Sequence, residues 1–374
     1  MSPDSCDLIV VGAGIVGLAH AWAAARRGWR VTVVERDARC VGASVRNFGF
    51  VTVTGQGPQA RRRALRSRAL WQQAAAQAGI PVLQQGAWVC ARRPEAVALL
   101  EAFARSPDGA GCQLLDGAEA RRHWDGLHPD TRAVLRSPHE LRVESLDALP
   151  RLARWLAEVH GVRFLWGEEV LAIDPPVVRT ARRTLHAPRC VLCPGTALSG
   201  VAAPWLAQHA LRFSRLQMLR LQAPPGPRLP AALLGDLSLV RYAGFASLPE
   251  AAALHARLAA ERPEALAHGV HVIAVQSADG SLVVGDSHHD EDAAGPAGPQ
   301  PSEAMDALIL AELDALLAPA PRRVLARWTG HYPVGHSEEV LVQPAGDGLR
   351  LVLVTSGTGA STAFALAEEV LDAW

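Results

Sequence analysis

The chain has 374 residues, 49% of them hydrophobic, and 37 basic side chains balance 37 acidic ones. That length accommodates two domains around a large core, and the absence of net charge argues against nucleic acid as the main partner. Every basic side chain apart from histidine is arginine, which excludes chemistry that needs a lysine, such as a Schiff base or a P-loop.

The first predicted element is a buried strand, Leu8-Ile9-Val10-Val11. It runs into Gly12-Ala13-Gly14-Ile15-Val16-Gly17, then an Ala-rich helix stopped by Gly28, then a second strand from Arg30 to Glu35. In this turn Gly12 permits the sharp bend, Gly14 lets the backbone approach a pyrophosphate, and Gly17 lets the helix pack closely on the sheet. The pyrophosphate then lies at the positive end of the helix. Glu35, followed by Arg36, stands at about the 20-residue spacing of an acid that holds a ribose hydroxyl. Leu8 to Ala25 is long and apolar enough for a membrane span, but the three glycines oppose that reading. Asp4 and Asp7 also stand where a secretion signal would be basic. No membrane segment and a soluble, cytoplasmic protein are expected.

Next comes Val41 to Phe50, a loop dense in small residues just beyond a cofactor strand, able to set backbone N–H groups and small hydroxyls against a ligand. Gln59 to Ala78 reads as a helix closed by Gly79 and Pro81, with Arg61, Arg62, Arg63, Arg66 and Arg68 on a solvated face. From Val82 to about Asp147 short strand-like pieces alternate with helices such as Pro94 to Arg105. Leu146 to His160 is helical, with Leu149, Leu152, Trp155, Leu156 and Val159 at helical spacing. Strands follow at Val162 to Leu165 and Glu169 to Ile173.

Arg189 to Gly195 is another buried strand entering a glycine turn. Its Cys190 and Cys193 form a C-x-x-C with no second pair, so strand packing is expected and not zinc. The six cysteines in all are too few for a disulfide scaffold. Arg212 to Gln222 alternates as a strand, and Pro224 to Pro230 is a proline-rich turn. His271 to Val275 and Ser281 to Gly285 form a hairpin through Asp279-Gly280. Asp290 to Pro301 is an expected exposed loop, and Ser302 caps a helix carrying Met305, Leu308, Ile309, Leu313, Leu316 and Leu317. Leu349 to Val354 is a final strand, Thr355 to Ala360 a glycine turn and Ser361 to Trp374 a helix, again presenting a positive helix end to a ligand.

Three separated motifs agree: the first glycine turn, the Gly42-Ala43-Ser44-Val45-Arg46-Asn47-Phe48-Gly49 loop, and Gly357-Thr358-Gly359 near the end. With the Val170 strand and the turn at Gly195, they make the chain resemble the FAD-dependent amine and amino-acid oxidases over nearly its whole length. This group includes D-amino-acid oxidase, glycine oxidase and sarcosine oxidase. The resemblance implies an α/β fold: a discontinuous Rossmann-like FAD domain (1–81, 142–211, 326–374) and an α+β substrate domain (82–141, 212–325) whose sheet covers the flavin. It places Gly12, Gly14, Ile15, Val16, Gly17, Glu35 and Arg36 on the ADP part of FAD. Ala43, Ser44, Asn47, Phe48 and Gly49 fall along the pyrophosphate and flavin, and Val170 and Gly195 near adenine and the sheet. Gly357, Thr358, Gly359, Ala360 and Ser361 fall beside the flavin. No cysteine stands close to the terminal motif that carries covalent flavin in some relatives, so noncovalent FAD is expected.

The resemblance implies oxidation of a small primary or secondary amine to an imine, with oxygen or another electron acceptor. Some relatives use a lysine for oxygen reactivity; here Arg215 or His331 stands in for it, or oxygen is not the preferred acceptor. Relatives acting on glycine or D-amino acids resemble one another in a Gly-x-Arg-Pro sequence whose arginine grips carboxylate. The matching stretch here is Gly330-His331-Tyr332-Pro333, and a phenol cannot reproduce that two-pronged grip. The segments Leu216 to Arg220, Val240 to Phe245 and Gly285 to His289 look like a subgroup associated with aminophosphonate breakdown. That implies an aminoalkylphosphonate, N-methylated or not, held by Arg46, Arg215 and Arg241 with Tyr242, His331 and Tyr332. No catalytic acid or base is assigned. The pair His288-His289 is read as ordinary pocket or surface histidine and not as a metal site, because neighbouring side chains on a strand point to opposite faces. Two alternatives remain open: a flavoprotein modifying an amine on tRNA, and a flavin-binding protein without turnover.

Overall fold

The computed structural model describes residues 4–223, 226–292, 301–336 and 338–374. Its architecture is the expected mixture of α/β and α+β. The apolar runs read as buried strands assemble into one sheet in the order Val340–Pro344, Leu349–Val354, Cys190–Leu192, Leu8–Val11, Val31–Glu35 and Arg163–Trp166. All neighbours are parallel except the first pair. Parallel strands covered on both faces need side chains apolar on both faces, and that is why Leu8–Val11 is wholly, and Val31–Glu35, Cys190–Leu192 and Leu349–Val354 mostly, Val, Leu and Ile.

One face of this sheet is covered by Ile15–Ala25, Gly359–Asp372, Pro58–Ala78 and Ser145–His160. Trp22 meets Trp155 and Phe364 edge-on at 5.4 and 5.3 Å, and Trp71 meets Phe364 at 5.0 Å. Such pairs contribute about 0.5–1.5 kcal/mol each beyond burial, and here they tie the first and last helices together. A three-stranded antiparallel layer, Val170–Asp174, Val177–Thr180 and Thr184–His186, covers the other face.

A second, mixed sheet has ten strands among the described residues. The region from Val82 to Asp147, read as short pieces, instead holds two long antiparallel strands, Val82–Ala91 and Ala133–Val143. Breaks in their register at Gln84 and Ala87 interrupt the alternation that would have revealed them. Val324–Val334 pairs along its length with Arg212–Leu221, so hydrogen bonding sets it in this second sheet, whereas the sequence boundary at 326 had joined it to the first. Within the expected loop Asp290 to Pro301, His289–Asp292 is a strand antiparallel to Arg212–Arg215. Residues 293–300 lie outside the described residues, as do Pro224 and Pro225 of the expected proline-rich turn. Ile273–Gln276 and Leu282–Gly285 form the hairpin, and Ser302 caps Glu303–Asp314 by accepting from the Met305 N–H.

Candidate active site

Two adjoining cavities of about 1380 and 1770 Å³, counted with space open to solvent, share Gly14, Ser44, Arg46 and Gly195 in their walls. The larger lies past the carboxyl ends of the first parallel strands, beside Gly12, Glu35, Arg36 and Val170. Gly12 takes φ +102°, and a Cβ on Gly17 would lie 1.8 Å from the Gly12 carbonyl oxygen. Only glycine at both positions lets strand turn into helix within this space.

The turn is braced from outside. The Ala13 N–H donates to Glu35 Oε2 at 2.7 Å and the Ile15 N–H to Ser44 Oγ at 3.0 Å, while Glu35 Oε1 accepts from Asp37 N–H at 3.0 Å. Gly14, Val16 and Gly17 have N–H groups with no acceptor among the described residues, and they line the cavity at a helix start. Asn47 folds the loop: its Nδ2 donates to the carbonyls of Ala43 and Ser44, and its Oδ1 accepts from Gly49 N–H and Ser145 Oγ. Glu35 retains a lone pair on each oxygen for a ligand hydroxyl, and hydrogen bonds to a charged group are worth about 1.5–3 kcal/mol. Glu35→Ala is therefore expected to weaken cofactor retention roughly tenfold or more. Titration of the apo-protein with FAD checks this, and an unchanged affinity would remove Glu35 from the site.

The smaller cavity lies between that turn, the terminal glycine turn and the second sheet. The Tyr332 ring lies over Gly357, where a Cβ would come within 2.9 Å of it. Gly359 and Ala360, in the first turn of the last helix, also have N–H groups without an acceptor among the described residues. Ser361 Oγ is committed to the Thr52 N–H at 2.9 Å. The inner wall carries Gln56, Met218, Arg241, Tyr242, His271, Asp286, His288 and Tyr332. Arg241 is exposed, and no carboxylate among the described residues pairs with it.

Asp286 is the centre of this wall. It is 4% exposed, and its Oδ1 lies 3.4 Å from His271 Nε2 and 3.8 Å from His288 Nδ1. Neither contact is aligned as a hydrogen bond, so this buried oxygen has no donor. The His271 and His288 rings stack at 5.1 Å and 20°. His271 Nδ1 faces Ser238 Oγ at 3.4 Å, and His288 Nδ1 lies 3.2 Å from the Gly269 carbonyl. Burial pushes the Asp286 carboxyl up to about 7, against the pull of the Arg241 guanidinium. Burial first, and then Arg241, holds both imidazoles well below their usual range, so they are neutral at physiological pH. Burial likewise raises the Tyr332 phenol.

The structure brings most of the predicted residues to one cleft and reassigns some. Arg215 is paired with Glu291 at 3.2 Å and lines the larger cavity, away from the inner wall. Its charge is neutralised by a strand that the sequence reading had taken for loop. Arg46 donates to the carbonyls of Val41 and Thr329 and borders both cavities. His331 also borders both, and burial lowers its pKa. Gly49 packs on Val143, where a Cβ would meet its carbonyl at 1.8 Å, and it lines neither cavity. His288 and His289 diverge: the first stacks on His271, the second lies 5.2 Å from His268. Cys190 and Cys193 are buried, free thiols whose pKa burial raises. Sequence reasoning missed Gln56, whose buried Nε2 has no partner, and the pairing of His271 with Asp286. The backbones of these two bond to each other at 3.1 Å in both directions just past the hairpin, so extending the hairpin register would have found them.

Comparison with known proteins places this geometry. The family described as "DAO: FAD dependent oxidoreductase" matches residues 7–373. Among solved structures, glycine oxidase from Bacillus cereus superposes with a TM-score of 0.76 at 16% identity, covering 99% of this chain and 96% of its own. L-proline dehydrogenase from P. horikoshii gives 0.78 at 18%, covering 99% and 93%. L-alpha-glycerophosphate oxidase from Mycoplasma pneumoniae, with FAD bound, gives 0.75 at 17%, covering 100% and 96%. These likenesses are of fold. Coproporphyrinogen III oxidase from Propionibacterium freudenreichii is 49% identical over 57 residues, and the match spans 14% of this chain and 11% of that protein. The donor set fits FAD: unpaired N–H groups at two helix starts suit its pyrophosphate and its flavin oxygens, and a carboxylate at the end of the second strand suits its ribose.

Proposed function

We propose that this chain, which belongs to the DAO family of FAD-dependent oxidoreductases, oxidises a small amine that carries an anionic group. An aminoalkylphosphonate or its N-methyl form is the substrate class that suits the pocket best. The observation that carries this reading is Arg241, a guanidinium in the wall of the inner cavity with no carboxylate partner among the described residues. A cation left unpaired beside neutral imidazoles and phenols is complementary to an anion. Tyr332 stands where the carboxylate-gripping arginine would be and packs on Gly357, so Arg241, in the same inner wall, is the cation left to hold the anion. The neighbours named for glycine, proline and glycerophosphate lend support, since each name denotes a small molecule with an anionic group.

FAD, when bound, takes up the hydride removed from the carbon next to nitrogen, and the imine so formed is hydrolysed by water to a carbonyl compound and an amine. The protein's share is orientation. Arg241 anchors the anionic end, Met218 and Phe48 present apolar surface to the carbon chain, and Gln56 Nε2 offers a free donor. The N–H groups of Gly359 and Ala360 stabilise negative charge that develops next to them.

The test is anaerobic mixing of the FAD-loaded protein with 2-aminoethylphosphonate, its N-methyl form, glycine, sarcosine and D-alanine, following loss of flavin absorbance. Faster bleaching by the phosphonates, by roughly tenfold or more, is expected from one additional charge-assisted bond. An α-amino acid that bleaches as efficiently as the better phosphonate would overturn the substrate assignment. Denaturation in acid is expected to release free FAD, checked by chromatography. Colour that stays with the polypeptide would show a covalent link.

A further inference from the structure

Asp286 has no role in the orientation just described, yet the fold goes to some length to place it. A carboxylate is set in the wall of an oxidoreductase cavity with one oxygen fully buried and without a donor. The groups facing it come from every element around it: Arg241 from the end of the short helix Asp236–Arg241 and Tyr242 just after it, His271 from just before the hairpin, and His288 from its own segment. Tyr332 faces it from the long Val324–Val334 strand. Of these, only Arg241 is charged at neutral pH, and its guanidinium is exposed. An unpaired buried oxygen is costly, and the cost falls when the carboxyl takes up a proton.

We propose that Asp286 accepts the proton of the substrate's ammonium group, with His271 and His288 as the neutral shell that passes it to solvent. The inference rests on the amine reading above. The N–H bond of R–NH3+ breaks and an O–H bond forms on the Asp286 carboxylate, leaving the neutral amine whose lone pair assists departure of hydride from the adjacent carbon. No electrons are transferred in this step. His288 is placed to carry the proton out, because it lines both the inner cavity and a second, outer cavity bordered by Asp290, His336 and Glu338. With the carboxyl near 7 and both imidazoles neutral, the acceptor is charged above neutrality, while the free amine retains its own proton up to about pH 10.

The experiment is the pH dependence of anaerobic flavin reduction by 2-aminoethylphosphonate and its N-methyl form between about pH 6 and about pH 10. In the wild-type holoenzyme the second-order rate of reduction should rise through about pH 7 and then level off. In Asp286→Asn it should be roughly a hundredfold lower near pH 7.5 and climb about tenfold per pH unit toward the wild-type value, because only amine already neutral in solution reacts. FAD content and thermal midpoint of the variant show that the fold is intact. Should the variant not fold, the wild-type profile still decides: a rate that climbs without levelling up to the pKa of the amine means there is no internal acceptor. A profile identical in variant and wild type overturns the proposal and leaves the amine reading standing. Loss of turnover on chelation with EDTA, restored by added zinc, would make the cluster a cation site and overturn the proposal too. Bleaching by no amine at any pH overturns both.

Discussion

Arg241→Met should lower kcat/KM for an anionic amine roughly ten- to a hundredfold and leave FAD content unchanged, since a hydrogen bond to a charged group is worth about 1.5–3 kcal/mol. Methionine keeps much of the apolar stem and removes only the guanidinium. That guanidinium makes no ion pair among the described residues, so the folded protein loses little when it goes. The loss should appear in KM when the anchor acts equally in ground and transition states, and an uncharged amine of similar length should be unaffected at a pH above the acid limb of the profile. A second consequence has a definite sign. Arg241 pulls the Asp286 carboxyl down against burial, so its removal shifts the acid limb of the rate profile to higher pH. Arg241→Lys keeps the charge but not the planar fork and should fall between. Equal loss for charged and uncharged amines would assign Arg241 a structural role instead.

The contiguous part of the site was legible in the sequence. A strand, a glycine turn and a helix are specified by neighbouring residues, so Gly12 to Gly17, Glu35 and Gly357 to Ala360 were found from local pattern alone. The inner wall was harder because it is assembled from six stretches far apart in the chain, whose pairing is non-local. Arg215 illustrates the difficulty. Its alternating strand was read, but its partner Glu291 lies on His289–Asp292, a four-residue strand of His, Asp and Glu that has no β-like composition. With that strand unseen, an ion-paired arginine looked like a free one. Tyr332 shows the opposite case. Its place opposite Ser214 follows from a long strand pair, and a substitution noticed in the sequence proved to sit on the terminal glycine turn. Arg46 lies between: the loop was recognised, but its bonds to the carbonyls of Val41 and Thr329 depend on the second sheet.

Gly17→Ala should abolish flavin retention and destabilise the protein by about 3 kcal/mol or more, at the top of the range for overpacking. The new methyl would lie 1.8 Å from the Gly12 carbonyl oxygen, 2.9 Å from its carbon and 3.3 Å from Val10 Cγ1. The first two are backbone atoms of the strand end and cannot rotate away, so the first helix must shift as a body. That shift breaks the 3.0 Å bond from the Ile15 N–H to Ser44 Oγ and turns the unpaired N–H groups of Gly14 and Val16 away from the cavity. Gly28→Ala is the matching control. It ends the same helix at φ +78° with nothing within 4 Å of the added methyl, so its cost is the left-handed backbone alone, about 1–2 kcal/mol, and flavin stays bound. Thermal unfolding of the two apo-proteins and the ratio of flavin to protein absorbance of each as purified separate the effects. A Gly17→Ala protein that purifies with full FAD and wild-type Tm would mean that the close approach of helix to strand is not what shapes the cofactor site.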